Sequence, residues 1–345
     1  MIKPVLRKLL AKENLTQTEA MGAMDCIMSG NATQSQIGGF LTALGYKGET
    51  TEEIIGFAKA MREKAAKVEH SLPYCIDTCG TGGDGAKTFN ISTAAAFVAA
   101  AAGAKIAKHG NRAMSSNSGS ADVLEALGVI IDLTAAQVGK CLEEVGIGFM
   151  FAQLFHQSMR HAAGVRKELG VRTVFNILGP LTNPAGAKGQ LLGIFDGNLT
   201  GTIVEALRGL GTERAMVVHG CDGLDEITTT GPTKIAELKD GRITEYYLDA
   251  LDLGIPRAAS KDISGGDAAY NAGLIRSILS GKPGAGRDIV LVNAAAALYV
   301  AKQADTLQEG IVTAARVIDN GKAAAKLDEL CAFSKAERSA EEVSA

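Results

Sequence analysis

A chain of 345 residues, 46% hydrophobic and 21% charged, is long enough for two domains and too apolar to be mainly disordered. Its net charge of −3 excludes a general basic field for nucleic acid or an anionic membrane, so any attraction for a polyanion must be local. The six cysteines form no CxxC pair and read as buried free thiols in a reducing compartment; no signal-peptide pattern opens the chain, and the apolar run from Phe97 to Ala102 is too short to span a bilayer. A soluble cytoplasmic protein is expected.

Residues 1 to about 68 read as helices only. Val5, Leu6, Leu9 and Leu10 share one helical face, and Thr16 with Glu19 forms a capping-box pattern. Met21, Met24, Ile27 and Met28 continue as a core stripe rather than a cofactor box. A third helix is predicted from Thr33 through Leu44, closed by Gly45, and a fourth from Thr50 to near Ala66. Gly38-Gly39 inside the third helix is poor by propensity; close helix–helix approach, within the chain or across a dimer, is one reading.

From Tyr74 strands and helices alternate. The apolar run Tyr74-Cys75-Ile76 enters a loop containing Gly80, Gly82, Gly83 and Gly85. Asn90, Ser92 and Thr93 then precede an alanine-rich helix ending at Gly103. A strand over Lys105–Lys108 delivers His109-Gly110-Asn111-Arg112, and Ser118-Gly119-Ser120 opens another helix. Next come a helix to Leu127, a strand over Val129–Ile131, a helix over Ala135–Val145, a strand over Ile147–Phe151 and a basic helix over His156–Leu169. Arg172–Ala185, with Pro180 and Pro184, breaks the rhythm before it resumes as Gln190–Phe195, Thr202–Leu210 and Ala215–Val218. Lys234–Tyr247 reads as a hairpin turning at Asp240-Gly241, and helices from Gly266 finish the chain. Such alternation predicts a parallel sheet with both faces covered.

The two glycine turns each feed a helix N-terminus, where free N–H groups and the macrodipole favour an anion. GTGGDG has neither the GxGxxG spacing of a dinucleotide fold nor a P-loop pattern. Asp84 reads equally as a turn residue or a ligand-side group, and Ser92 as an N-cap compatible with ligand contact. Asp225-Glu226 follows a strand end and the turn Gly220-Cys221-Asp222-Gly223, where α/β proteins place their sites; Asp222 reads as a loop residue. Arg160, Lys167 and Arg172 read as a solvated helix face, His156 and His161 as surface or core, and His219 as packing or lining a cleft. No Ser–His–Asp or Cys–His set stands out.

GTGGD, then NxST, then KHGNRxxSSxSGSAD, in that order, resembles the phosphoribosyl-diphosphate site of the anthranilate phosphoribosyltransferase family. RKELGVRTVFNILGPLTNPA (Arg166–Ala185) looks like that family's anthranilate-side segment, and HGCDGLDEI (His219–Ile227) like its metal-binding segment. The likeness runs from near the N-terminus to at least Gly266.

The resemblance implies an α/β fold of nucleoside phosphorylase/phosphoribosyltransferase type. A small helical domain, residues 1–70, would be completed by a return segment around 165–186. A larger α/β domain with a mostly parallel central sheet would span 74–164 and 187–345. It also implies a homodimer joined through the helical domain, and Mg²⁺-dependent transfer of a phosphoribosyl group to anthranilate in tryptophan biosynthesis. By resemblance, Gly80, Gly83, Asp84 and Thr88 contact phosphoribosyl diphosphate, followed by Asn90, Ile91, Ser92 and Thr93. Lys108, His109, Gly110, Asn111 and Arg112 join them, with Ala113, Met114, Ser115, Ser116 and Ser120; Lys108 and Arg112 supply charge. Gly80, Asn111 and Arg166 would meet anthranilate, with His109 beside them. Two Mg²⁺ ions are implied, one on Asp225 and Glu226, the other on Ser92 and Glu226. Gln153, Gln157 and Gly164 stand where many family members carry proline. A nucleoside phosphorylase would not need the Asp225-Glu226 pair, and a nucleic-acid-binding relative calls for a basic cleft.

Overall fold

The structure, a computed structural model, describes residues 2–113 and 117–344. Four helices open the chain: α1 (Ile2–Leu10), α2 (Gln17–Met28), α3 (Gln34–Lys47) and α4 (Thr51–Lys64). The last three each start on a complete capping box, Thr16 with Glu19, Thr33 with Gln36 and Thr50 with Glu53. The predicted stop at Gly45 does not occur; α3 runs to Lys47 and ends where Gly48 takes φ +87°. A Cβ on Gly38 would lie 3.6 Å from Val165 Cγ1, and one on Gly39 3.6 Å from Leu6 Cδ2, so packing within the chain does not demand either glycine.

The sheet has seven strands: β1 (Ile76–Gly80), β2 (Ile106–Gly110), β3 (Ile147–Phe151), β4 (Gly189–Gly193), β5 (Arg214–Gly220), β6 (Pro232–Lys239) and β7 (Arg242–Asp249). Their order is β3-β2-β1-β4-β5-β6-β7, parallel from β3 to β5 and antiparallel beyond. The β6–β7 hairpin turns at Asp240 and Gly241, both at positive φ as its tight turn requires. The chain moves outward from β1 through β2 and β3 and returns to β4 on the other side of β1. Ligands in open α/β sheets bind at the carboxyl ends of strands flanking such a reversal.

Helices α5 (Ile91–Ala101), α6 (Ser120–Leu127), α7 (Ala135–Glu144), α8 (Ala152–Phe155), α9 (Arg160–Leu169), α10 (Phe175–Leu178) and α11 (Thr200–Gly209) lie between strands. Helices α12 (Ala268–Leu279), α13 (Ala285–Val300), α14 (Leu307–Asp319) and α15 (Lys322–Ser344) close the chain. The small side chains of α5 let it pack closely with α13, itself buried from Ile289 to Val300, in the core on one side of the sheet. A second core joins α1–α4 to Ala162, Val165, Val174, Phe175 and Leu181 of the returning chain, and to the sheet through Leu192 and Val217. None of the helices among the described residues is long and apolar enough to cross a membrane.

Several expectations differ. Val129–Ile131 is not a strand: Val129 and Ile131 are buried, but the Ile130 N–H goes to Ser334 Oγ of α15 at 3.0 Å rather than to a neighbouring strand. The helix predicted over His156–Leu169 starts only at Arg160, because His156 adopts φ −120°, ψ 54°. Cys75, Cys79, Cys141 and Cys331 are buried as expected, but Cys221 is exposed in its turn and Cys26 is half-buried.

Candidate active site

Gly82, Gly83 and Gly85, at the carboxyl end of β1, take φ +64°, +75° and +72°, a region closed to most side chains. Thr81 N–H donates to the Gly193 carbonyl at 2.9 Å and Thr81 Oγ1 accepts from Phe195 N at 3.0 Å, fixing the loop beside β4. Gly80 and Gly193 make room for Asp225, since a Cβ on either would collide with it. Asp225 Oδ2 accepts the Gly82 N–H at 2.8 Å, and Glu226 Oε1 accepts the Ser92 N–H at 3.0 Å. Two carboxylates thus occupy the amides that the glycine turn and the α5 N-terminus present to an anion.

Asp225 and Glu226 keep some solvent contact, yet the dense protein around them pushes both carboxyls upward. Burial is the largest cause for each; Asp84 adds repulsion to Asp225, and Asp225 raises Glu226, which reaches about 8. Such a pair is short of positive charge. Among the described residues no group of three or more His, Cys, Asp or Glu could enclose a metal. Two carboxylates offer oxygen donors only, which suits a hard cation that completes its shell with other oxygens, as Mg²⁺ does with phosphates and water. Asp222 is more than a loop residue: its carboxylate accepts from Thr228 Oγ1 at 2.7 Å, Leu224 N at 3.3 Å and Thr230 Oγ1, pinning both arms of the Asp225-Glu226 loop.

Ser92 lies inside α5 rather than at its cap; Asn90 is the N-cap, without a side-chain cap bond. Asn90 instead donates to the Ser118 carbonyl at 3.0 Å and accepts from Asn271 at 3.0 Å, joining the two glycine turns. Thr93 Oγ1 is buried without a partner among the described residues. Ile91 is buried, and Thr88 forms an isolated bridge with Ser264. Lys108 is 3% exposed, its Nζ donates to the Thr78 carbonyl at 2.5 Å, and burial lowers its pKa. Gly110 abuts Ser120 and Phe149, where a Cβ would clash. Arg112 pairs with Asp122 at 3.0 Å and Glu125 at 2.5 Å, and Asp122 also takes the Ala113 and Gly119 amides. Met114, Ser115 and Ser116 lie outside the described residues.

His109 and His156 face each other with ring centroids 5.0 Å apart. Both rings lie against the chain that returns after α9, where the backbone of Gly179 acts on His109 and that of Thr182 on His156 to favour the protonated form slightly. Nε2 of both rings is buried without a partner among the described residues. Burial pushes His109 down to about 3 and His156 to about 4, so both are neutral at pH 7. Arg166 is half-buried and stacks over Phe175 at 5.2 Å. Arg172 is not on a helix: beyond the Gly170 cap it donates to the Gly83 carbonyl at 2.5 Å and stacks over Phe195 at 4.2 Å.

Residues 72–324 match the family described as glycosyl transferase family, a/b domain, and residues 3–65 its helical bundle domain. The anthranilate phosphoribosyltransferase of Acetivibrio thermocellus is 57% identical over 333 residues, 96% of each chain. This chain belongs to the anthranilate phosphoribosyltransferase family. The enzyme of that name from Thermus thermophilus superposes with a TM-score of 0.91 at 43% identity, over 96% of this chain and 99% of its own. The yeast anthranilate phosphoribosyltransferase in complex with PRPP and Mg gives a TM-score of 0.89 at 29% identity, covering 97% and 98%. The same yeast protein with 4-fluoroanthranilate gives 0.88 at 27%, with the same coverage. As a member of the anthranilate phosphoribosyltransferase family, the chain is a glycosyltransferase.

Among the sequence-predicted residues, the fold brings Gly80, Gly83, Ser92, Asp225 and Glu226 together around the β1–β4 crevice. Asp84 joins them through Asp225. Asn111 stands at the end of β2, where its Oδ1 accepts the Arg112 N–H at 2.8 Å and meets Gln153 Nε2 at 3.5 Å. His156 and Arg172 were placed on a solvated or structural face by sequence alone. Their contacts depend on the returning chain, and no local pattern in the sequence marks them: Arg172 meets Gly83 across 89 positions.

Proposed function

We propose that the chain transfers the 5-phosphoribosyl group of PRPP to the amine of anthranilate, releasing diphosphate, in an Mg²⁺-dependent reaction of tryptophan biosynthesis. The observation that carries the reading is a single crevice in which anion-binding amides and the Asp225-Glu226 pair meet. The yeast relative's complex with PRPP and Mg supports it. In this reading Asp225 and Glu226 turn to the metal and release the Gly82 and Ser92 amides, which with the rest of Gly80–Asp84 and the α5 N-terminus bind the diphosphate. Lys108, Asn111, Arg112, Ala113 and Ser120 hold the ribose and 5-phosphate, with Met114, Ser115 and Ser116 completing that side. Thr88, Asn90, Ile91, Thr93 and Gly110 shape the cradle.

Two Mg²⁺ per subunit fit the donor set, one held by Asp225 and Glu226, the other by Ser92 and Glu226; when bound they supply positive charge to the departing diphosphate. Lys108, bonded to the Thr78 carbonyl and acting electrostatically on Glu226, adds positive charge where negative charge develops. The amine lone pair forms the new C–N bond at the anomeric carbon, the C–O bond to diphosphate breaks, and the amine then sheds a proton. An aryl amine is neutral at pH 7, so the chain needs to orient it rather than deprotonate it beforehand. Neutral His109 stands on the acceptor side in this reading. Arg166 offers a cationic fork to the anthranilate carboxylate, and in this reading Gly80 and Asn111 supply the other acceptor contacts.

The exposed Leu10 and Tyr46 of the helical segment support a homodimer joined there. The net charge of −3 favours a small-molecule reaction in the cytoplasm over nucleic-acid or membrane binding. Loss of anthranilate fluorescence tests the reaction: it is expected only with both PRPP and Mg²⁺ present, and consumption that ignores either compound contradicts the reading.

A further inference from the structure

Among the described residues, β1 and β2 are registered only at Ile76 and Ile106, whereas β1 keeps five registered positions with β4 and β2 five with β3. Beyond that point buried side chains replace the ladder. Asp77, 0% exposed, accepts the His109 N–H at 3.1 Å through Oδ1 and Asn183 Nδ2 at 2.7 Å through Oδ2. The same Asn183 nitrogen donates to the Ala107 carbonyl at 2.8 Å, and Asn183 Oδ1 accepts the Ala185 N–H at 2.9 Å. Asn183 therefore sits as a wedge between the two strands, bonded to both.

A buried carboxylate costs free energy unless its partners are fixed, and a continuous main-chain ladder would meet the same hydrogen-bonding needs without one. What the side chains add is a bond to a third element. Asn183 is carried by the chain that follows Arg166 and α9 and that passes beside His109 and His156 at Gly179 and Thr182. Asp77 belongs to β1, whose end is the glycine turn. The His109 amide belongs to the end of β2, between Lys108 and Asn111.

We propose that Asn183 and Asp77 are a positioning pair that couples the acceptor side of the crevice to its phosphoribosyl side, by holding the end of β2 in register with both β1 and the returning chain. Neither residue needs to touch a substrate. The inference rests on the proposed reaction, which the wild-type assay tests separately.

Its test uses the full chain and three variants: Asn183→Ala, Asp77→Asn and the double substitution. Asp77→Asn keeps the shape of the side chain but provides one accepting oxygen for two donors. We expect each single variant to remain folded at the assay temperature and to lose about tenfold or more in kcat/KM for both PRPP and anthranilate. The double variant should fall no more than about threefold below the weaker single one, because the pair acts as a unit. Hydrogen exchange in the peptide spanning residues 106–112 should rise in both single variants without ligand present. A lower melting temperature with unchanged kinetic constants and unchanged exchange overturns the proposal, as do losses confined to one substrate or fully additive losses. If Asn183→Ala does not fold, Asp77→Asn decides alone: wild-type constants for both substrates reject the coupling.

Discussion

Glu226 Oε1 accepts the backbone N–H of Ser92 at 3.0 Å, so a carboxylate from the loop after β5 occupies the N-terminus of the helix after β1. One bond thereby ties together the two segments assigned to the metal, across 134 positions of sequence. Glu226→Gln keeps an oxygen able to accept that bond while removing the charge. Turnover in saturating Mg²⁺ is expected to fall about 100-fold or more with little loss of melting temperature. Initial rates over a Mg²⁺ series check this, and near-normal rates reject the metal assignment.

The upward-shifted carboxyls make metal binding a proton-releasing event. Glu226 at about 8 and Asp225, likewise raised, carry protons at neutral pH that a dication must displace. Apparent Mg²⁺ affinity in the presence of PRPP should therefore strengthen between about pH 6 and about pH 8. Calorimetry in buffers of different ionisation heat is expected to report net proton release; equal heats in all buffers oppose it. For the ligand-free fold the sign is opposite. Glu226 has a folded pKa above its ordinary 4.5, so its stabilising contribution is fully present below that value and is lost as pH rises through about 8. The melting temperature of Glu226→Gln relative to wild type should rise across that window.

Arg166 stacks on Phe175, whereas Arg172 is the cation bonded to the glycine turn. Arg166→Ala should raise KM for anthranilate about tenfold or more and leave that for PRPP within about twofold. Steady-state kinetics with each substrate varied gives the answer; an effect confined to PRPP moves the acceptor elsewhere.

Gly80 lies where a Cβ would collide with Asp225 Oδ2. Gly80→Ala should cost about 1–3 kcal/mol of stability through overpacking and displace Asp225 from the Gly82 amide. Thermal unfolding and Mg²⁺-dependent rates should both change; a variant with wild-type values in each shows that the close approach is dispensable.

Lys108 is buried with its Nζ on the Thr78 carbonyl, and its charge favours the ionised form of Glu226. Lys108→Met should weaken PRPP binding about tenfold or more, measured calorimetrically with Mg²⁺ present. Unchanged affinity removes Lys108 from the cradle.

What the sequence revealed was local. The capping box at Thr16, the helix starts at Thr33 and Thr50, the turn at Asp240-Gly241 and the glycines after β1 are each written within a few residues, and they form as expected. The relations that were not legible join distant segments. Asn183 meets Asp77 over 106 positions, so the parting of β1 from β2 has no signature in either strand. His156 reads as part of a basic helix, and its burial becomes evident only once the chain at Thr182 returns over it. Val129–Ile131 has a strand's composition, but Ser334, 204 positions from Ile130, supplies the bond that a neighbouring strand would have made.

The central claim, that paired glycine turns hold the two phosphate-bearing ends of PRPP while Asp225 and Glu226 hold Mg²⁺ against its diphosphate, is tested most directly by a crystal structure with PRPP and Mg²⁺ bound. The expected result is diphosphate oxygens on the amides of Gly80–Asp84 and the α5 N-terminus, with metal density within about 2.1 Å of carboxylate oxygens of Asp225 and Glu226. Phosphates lodged elsewhere, with this crevice empty at saturating ligand, would contradict it.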